Sequence, residues 1–416
     1  MSKDALTVQR LTYPPHIQAL NGLCWVAEQL GLGLGRLDQQ SILDAARRKT
    51  GLEDWGSDDF LEPMSVLIED AKRQPLTAMA RVFLRTTFVK AVCNRLRIQA
   101  ARKANPLDCS RPIHRPVFIL GFPRSGTTLL QNLLALEDGR RGLQFWELTT
   151  PYPVLADRER DRARRVTIAE RFVNVGYLVA PEMGDVHTIT ATSYEECWPL
   201  FTNSFSVLNF DMQTRLPTYG DHLRSTDMTP AYQYYREQLQ LLQGTGDDQL
   251  LLKCPEHLWF IDALLAVFPD ACIVWTHRNP VQSVASYCSL MTLPRRMLLG
   301  KVDPAAVGED LGTKFVTGVE RAMAARDRAE AAGRGHQFYD VNFRDLVADP
   351  EQVVLDICRH FEFEVSDAFP DRMKAYLAQD RQDERGRHVY SGKMFHLDEE
   401  KLAERFSAYT KRFGIS

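Results

Sequence analysis

The run PVFILGFPRSGTTLLQNLLAL, residues 116–136, decides the fold. Val117 to Leu120 are apolar without interruption and are bounded by Pro116 and Gly121, the pattern of a strand buried on both faces. From Thr127 the leucines recur at helical spacing, so a helix is expected over Thr127–Leu136. Between them stand Gly121 and Gly126 with four residues separating them, and Thr127 follows. Strand, glycine-bounded turn and helix make the skeleton of a phosphate-binding loop. The glycines let the backbone turn tightly, so that successive N–H groups point at an anion above the helix N-terminus.

Working outward, the same alternation recurs. Apolar strands are expected at Leu250–Lys253, at Ala271–Thr276 and at His336–Val341. Helical patterns run from His257 to Phe268, from Val281 to Leu290 and from Leu311 to Ala332. Strands alternating with helices imply right-handed βαβ units, so the expected class is α/β, a P-loop-type central parallel sheet flanked by helices. Before it, residues 1–112 read as a helical N-terminal region, with apolar three- and four-residue spacing in 37–52 and 75–103. Residues 113–416 read as the α/β domain, interrupted by a helical, aromatic-rich insertion at about 151–246. The stretch from Ser366 is helical again, broken around Arg385 to Lys393.

Composition bounds the partners. The 416 residues are 44% apolar and 25% charged, with a net charge of −3. Nothing in that balance points to nucleic acid or an anionic membrane, so an anion site must come from local geometry. No apolar run approaches the roughly 20 residues needed to span a bilayer, so stable membrane insertion is not expected. The N-terminal residues lack the pattern of a secretory signal, and the eight cysteines form no CxxC pair or Cys/His cluster. Reduced thiols in the cytoplasm, and no metal site, are the expectation.

The loop lacks the lysine that a nucleoside-triphosphate enzyme places after the second glycine, where Thr127 stands instead. Arg124 supplies a cation inside the loop, and Ser125, Gly126, Thr127 and Thr128 supply donors. No strand ends in a suitable magnesium carboxylate: one ends at Lys253, another in His277-Arg278. This reads as an anion site without a metal.

Phe122-Pro-Arg-Ser-Gly-Thr-Thr128 after a strand resembles the 5′-phosphosulfate loop of sulfotransferases that use 3′-phosphoadenosine 5′-phosphosulfate (PAPS). A second likeness lies in Thr276-His-Arg278-Asn-Pro-Val-Gln-Ser-Val-Ala-Ser286, where that family holds the donor's 3′-phosphate with an arginine at a strand end and a serine eight residues on. The chain is similar to the bacterial small-molecule sulfotransferases of the Sulfotransfer_3 type. The resemblance implies PAPS as co-substrate, a small hydroxylated acceptor, and phosphate contacts from Arg124, Arg278 and Ser286. Lys253, before Cys254-Pro255, resembles the lysine that reaches the transferred group. For the base it offers Glu147, at a distance from the loop similar to that in tyrosylprotein sulfotransferases, with His187 as rival. Placed among apolar residues, such a carboxylate is expected to hold its proton more tightly. Lys393 is a candidate phosphate contact from a late closing segment. His257 and the pair Glu195-Glu196 are lesser candidates for the base and read chiefly as structural. The segment Tyr194–Phe201, with Trp198 in it, and Phe205, Phe210, Tyr232, Tyr234 and Tyr235 are candidates for an acceptor wall, although aromatics at helical spacing more often form core. A P-loop kinase and a non-catalytic nucleotide-binding module stay open as alternatives, and the oligomeric state is unreadable.

Overall fold

The computed structural model describes residues 15–179, 188–244, 246–379 and 392–415. Strand β1, Val117–Gly121, lies at the centre of the sheet. The others are β2 (Arg140–Gly142), β3 (Gln249–Lys253), β4 (Cys272–His277) and β5 (Phe338–Asn342), all parallel in the order β2-β3-β1-β4-β5. Gly121 is in register with Thr276, so the loop after β1 opens beside the end of β4.

Alternate residues of the central strands face opposite layers, as a period of two requires. Phe118, Leu120, Leu252, Ile273 and Trp275 enter one core, and Val117, Ile119, Leu251 and Val274 enter the other. The first core is filled by the N-terminal helices α2 (Gln39–Thr50), α3 (Leu61–Arg73) and α4 (Ala78–Ala104), together with the insertion, while α1 (Pro15–Gln29) lies against α4. The second is covered by α5 (Thr127–Leu134) and the helices Pro350–His360 and Phe369–Gln379. Side chains such as Phe118 and Ile119, with no exposure at all, each contribute about 1.5–3 kcal/mol through burial.

Three local expectations shift. Strand β2 was not foreseen: Arg140-Arg141-Gly142 has no apolar signature and pairs only through its backbone with β3. The helix expected from His257 splits into a 3₁₀ turn, Pro255–Trp259, and a helix Ile261–Val267. The helix expected to stop at Leu290 runs from Pro280 to Leu299 through Pro294. Buried Met291, Leu293 and Leu298 hold it on the core past the one hydrogen bond that the proline forfeits.

Within the insertion, α6 (Phe145–Thr149) is followed by the long α7 (Arg158–Val179) and the short helices Trp198–Thr202, Asn209–Thr214 and Pro217–Ser225, then Thr229–Gln243. The helix Asn209–Thr214 is locked to the helices Pro280–Leu299 and Pro304–Ala331 by buried charge. Lys314 Nζ donates to Asp211 Oδ1 (2.8 Å) and to Asp310 (3.0 Å), and Arg295 pairs with Asp310 while its Nε donates to Met212 O at 2.9 Å. Among the described residues no helix is long and apolar enough to cross a membrane.

Candidate active site

The loop after β1 is held open by backbone conformations that favour glycine. Gly121 has φ +146°, and a Cβ there would lie 2.5 Å from the carbonyl oxygen of Thr276. Gly126, at φ +85°, caps α5 in the left-handed region, and a Cβ would meet Leu346 at 2.6 Å. Arg124 takes φ +69°, a conformation that costs a non-glycine residue about 1–3 kcal/mol and is kept only where the surroundings impose it. Part of that imposition is visible. Arg278 Nη1 donates to Arg124 O at 2.6 Å, while its guanidinium stacks 4.5 Å over the ring of Phe343. The two predicted phosphate arginines therefore meet through one hydrogen bond.

Ser125 turns inward. Its Oγ donates to Phe122 O at 2.5 Å and lies 2.6 Å from Thr276 Oγ1, so the hydroxyl braces the loop. Thr127 and Thr128 begin α5. Lys253, 1% exposed at the end of β3, donates from Nζ to Thr128 Oγ1 at 3.1 Å. An ammonium has three protons to give, and burial makes an anion near the remaining ones strongly favourable. The cradle of Gly121 and Gly126, the first turn of α5, Arg278 and buried Lys253 thus fit a phosphosulfate or pyrophosphate-like group.

Beyond β4, Asn279 caps the helix Pro280–Leu299 by accepting from Val281 N (3.1 Å) and Gln282 N (3.2 Å), and Ser286 is buried two turns along it. His277 lies behind, its Nε2 2.8 Å from Asp340 Oδ1 and its Nδ1 3.0 Å from Tyr409 OH, with burial holding its pKa below the usual value. It ties the C-terminal helix Ser407–Phe413 to the sheet. Lys393 is exposed in the 3₁₀ turn Gly392–Phe395, which packs on the helices Pro280–Leu299 and Pro304–Ala331. His187 lies outside the described residues. No group of three His, Cys, Asp or Glu among the described residues is placed to hold a metal ion.

Glu147 differs most from its expected setting. It is 4% exposed, yet its carboxylate is fully engaged: Oε2 accepts from Gln144 N at 2.9 Å, completing a capping box on α6, and Oε1 pairs with Arg141. An ion pair and a cap replace the apolar surroundings that the sequence suggested. The spacing Gln144-x-x-Glu147 is itself a capping-box signal.

A second carboxylate, missed in the sequence, follows Lys253 by three residues. Glu256 lies in the turn directly after β3, and its Oε2 accepts from Leu208 N at 2.8 Å. Burial pushes its pKa up to about 8, the nearby charges of Glu196 and Asp211 add to the rise, and the N–H groups of Leu208 and Asn209 oppose it. Glu196 is partly exposed, and its neighbour Cys197 donates its backbone N–H to Lys253 O at 2.9 Å, which brings that segment to the end of β3. Tyr287 shares the environment; its phenol is raised by burial and by both glutamates. The adjacent Glu195 is buried, with its N–H bonded to Leu143 O. His257 is buried and neutral, its pKa lowered to about 3 by burial and one ring nitrogen 2.8 Å from Tyr232 OH. Phe201, Tyr232 and Tyr235 pack around it, and Phe205 and Phe210 pack on Phe88. These aromatics, Tyr234 included, are buried in the core. Tyr194 and Trp198 stay partly exposed.

Residues 116–367 match a family model described as the sulfotransferase family. Two curated relatives, the omega-hydroxy-beta-dihydromenaquinone-9 sulfotransferases Stf3 of Mycobacterium bovis and Mycobacterium tuberculosis, are each 25% identical over 273 residues. That match covers 63% of this chain and 66% of the relatives' length, slightly under two thirds. Among solved structures, sulfotransferase STF1 from Mycobacterium tuberculosis superposes with a TM-score of 0.78 at 31% identity, covering 89% of this chain and 98% of that one. Sulfotransferase STF9 from Mycobacterium avium superposes with a TM-score of 0.79 at 26% identity, covering 91% and 97%.

Proposed function

The chain belongs to the sulfotransferase family, and on that premise we propose that it transfers a sulfuryl group from PAPS to a hydroxyl of a small acceptor. The observation that carries this reading is the joined anion site, in which Arg278 bonds to the loop carbonyl of Arg124 while buried Lys253 bonds to Thr128 at the start of α5. The donor's 5′-phosphosulfate would lie over the N-terminus of α5, with its 3′-phosphate toward Arg278 and Ser286 and with Lys393 approaching from the closing turn.

In the proposed step the acceptor oxygen attacks sulfur in line, the bond from sulfur to the bridging oxygen breaks, and adenosine 3′,5′-bisphosphate (PAP) leaves. Lys253 and the α5 N–H groups stabilise the charge that grows on the bridging oxygen. The hydroxyl proton passes to a carboxylate beside Lys253. Glu256, with a pKa near 8, holds its own proton at neutral pH, so Glu196 is favoured as the acceptor of that proton. Glu147, engaged by Arg141 and its cap, and His187 remain the rivals that the sequence put forward. The curated relatives are named for a hydroxylated menaquinone derivative, which supports an acceptor with an apolar body. A cytoplasmic setting belongs to the same proposal and is supported by eight free cysteines.

Calorimetric titration with PAP and ADP, each with and without magnesium, tests it. A metal-independent preference for PAP is expected. Equal affinities, or binding that requires magnesium, would overturn the reading and favour the kinase.

A further inference from the structure

Helix α1 is reversed relative to an ordinary surface helix. Its inward side is held by polar contacts: Asn21 Oδ1 accepts from Met79 N at 3.0 Å, and Glu28 pairs with Arg81. Ile17 is its one buried residue. Outward, Leu20, Leu23, Val26 and Leu30 recur at three- and four-residue spacing on a single stripe, with Leu23 68% and Leu30 71% exposed. Trp25 on the same helix is 55% exposed, and Leu32 and Leu34, just after it, are exposed as well. An exposed apolar surface of this extent marks a binding face.

A second exposed apolar group adjoins it. Phe172, Val175 and Leu178 project from the last turns of α7, and His16 Nε2 lies 3.2 Å from Leu178 O, so the start of α1 abuts the end of α7. Along α7 the exposed charges are Arg158, Arg160, Arg162, Arg164 and Arg171 against Glu159 and Glu170. Asp161 is buried and already paired with Arg165 at 2.8 Å. An excess of three positive charges on this helix contrasts with a whole-chain net charge of −3, so the attraction it offers is local. Leucines with a tryptophan beside a row of arginines match a headgroup boundary, with apolar groups entering it and guanidinium groups on lipid phosphates.

We propose that α1 through Leu34 and the exposed face of α7, from Arg160 to Leu178, form a docking face for an anionic lipid bilayer. The helix lies on the surface and does not span it. Helix α7 also borders the proposed acceptor side, because its Ala169 packs with Phe145 and Trp146 of α6 and with Ala191 in one cluster just before Glu196. An apolar hydroxylated acceptor would therefore enter from the bilayer; that consequence rests on the proposed transfer, whereas the docking does not.

The test is flotation of the full chain with vesicles of phosphatidylcholine alone and of phosphatidylcholine mixed with phosphatidylglycerol, at low and high salt. Co-flotation with the mixed vesicles, weakened by salt, is expected. Leu23→Ser combined with Trp25→Ser should abolish it, and Arg160→Gln combined with Arg164→Gln should lower partitioning roughly 10- to 30-fold. Unchanged thermal unfolding and PAP binding would establish that each variant is folded. If the apolar variant fails to fold, the arginine variant alone decides. Three outcomes would overturn the proposal: no flotation with either vesicle, flotation that both variants leave intact, or a concentration-dependent dimer lost in the apolar variant without vesicle binding.

Discussion

Replacing Glu256 by glutamine should stabilise the protein, and by an amount that grows with pH. Burial raises this carboxyl from its ordinary 4.5 to about 8, with the charges of Glu196 and Asp211 adding to the effect. A group bound more tightly to its proton in the fold than in the unfolded chain stabilises fully below the unfolded pKa. That contribution is lost as pH rises through the folded value. At about 1.4 kcal/mol per pH unit the full loss between about 4.5 and about 8 is roughly 5 kcal/mol, and water entering the partly exposed site reduces it to about 2–5. Glutamine keeps an oxygen for the Leu208 N–H and carries no charge to desolvate. Urea denaturation of both proteins at steps from about pH 5 to about pH 8.5 gives the difference directly. His257 acts in the opposite direction, since its depressed pKa of about 3 removes stability as pH falls through the ordinary histidine range, but it is common to both proteins and cancels. The two should be nearly equal near pH 5 and separate steadily above it. A gap independent of pH, or a glutamine variant less stable at pH 8, would refute the assignment of a protonated Glu256.

Arg278→Ala should weaken PAP binding by roughly 10- to 150-fold, the value of charge-assisted hydrogen bonds, and ADP binding only a few-fold through loss of the strut to Arg124 O. Equal losses in calorimetry would leave Arg278 as a brace alone. Gly121→Ala should cost about 2–5 kcal/mol in urea denaturation, because its Cβ would press on the backbone of Thr276. Gly126→Ala should cost less, because Leu346 can yield. Glu196→Gln should lower kcat by about 10²- to 10⁴-fold in a transfer assay, whereas Glu147→Gln should chiefly lower the melting temperature. The reverse pattern would restore Glu147 as the base.

Sequence legibility followed the range of the interactions. The segment from Val117 through α5 could be read because its signals are local: a fully apolar strand, two glycines at fixed separation and a leucine-rich helix. Strand β2 could not, since Arg140-Arg141-Gly142 earns its place through backbone pairing with a strand more than a hundred residues away. Arg124 and Arg278 were legible as a motif, but their hydrogen bond was not, because it depends on Gly121 lying in register with Thr276.

The acceptor side shows the same limit more sharply. A lysine at the end of a parallel strand is ordinarily solvated, and nothing within residues 249–257 says otherwise. Lys253 becomes a desolvated cation because the insertion covers it: Cys197 bonds to its carbonyl, and Leu208 bonds to the neighbouring Glu256. The insertion stays there because Asp211 is held by Lys314, while Arg295 grips the backbone at Met212. Breaking a buried pair by removing one partner leaves an uncompensated charge, at a cost of about 3–5 kcal/mol. The charge network that holds the insertion in place therefore also adds, through Asp211, to the proton affinity that burial gives Glu256. Lys314→Met should consequently disturb both stability and the pH profile of transfer, although Lys314 bonds to neither Lys253 nor Glu256. A variant that lost stability but kept the wild-type pH profile would show that the two are separable.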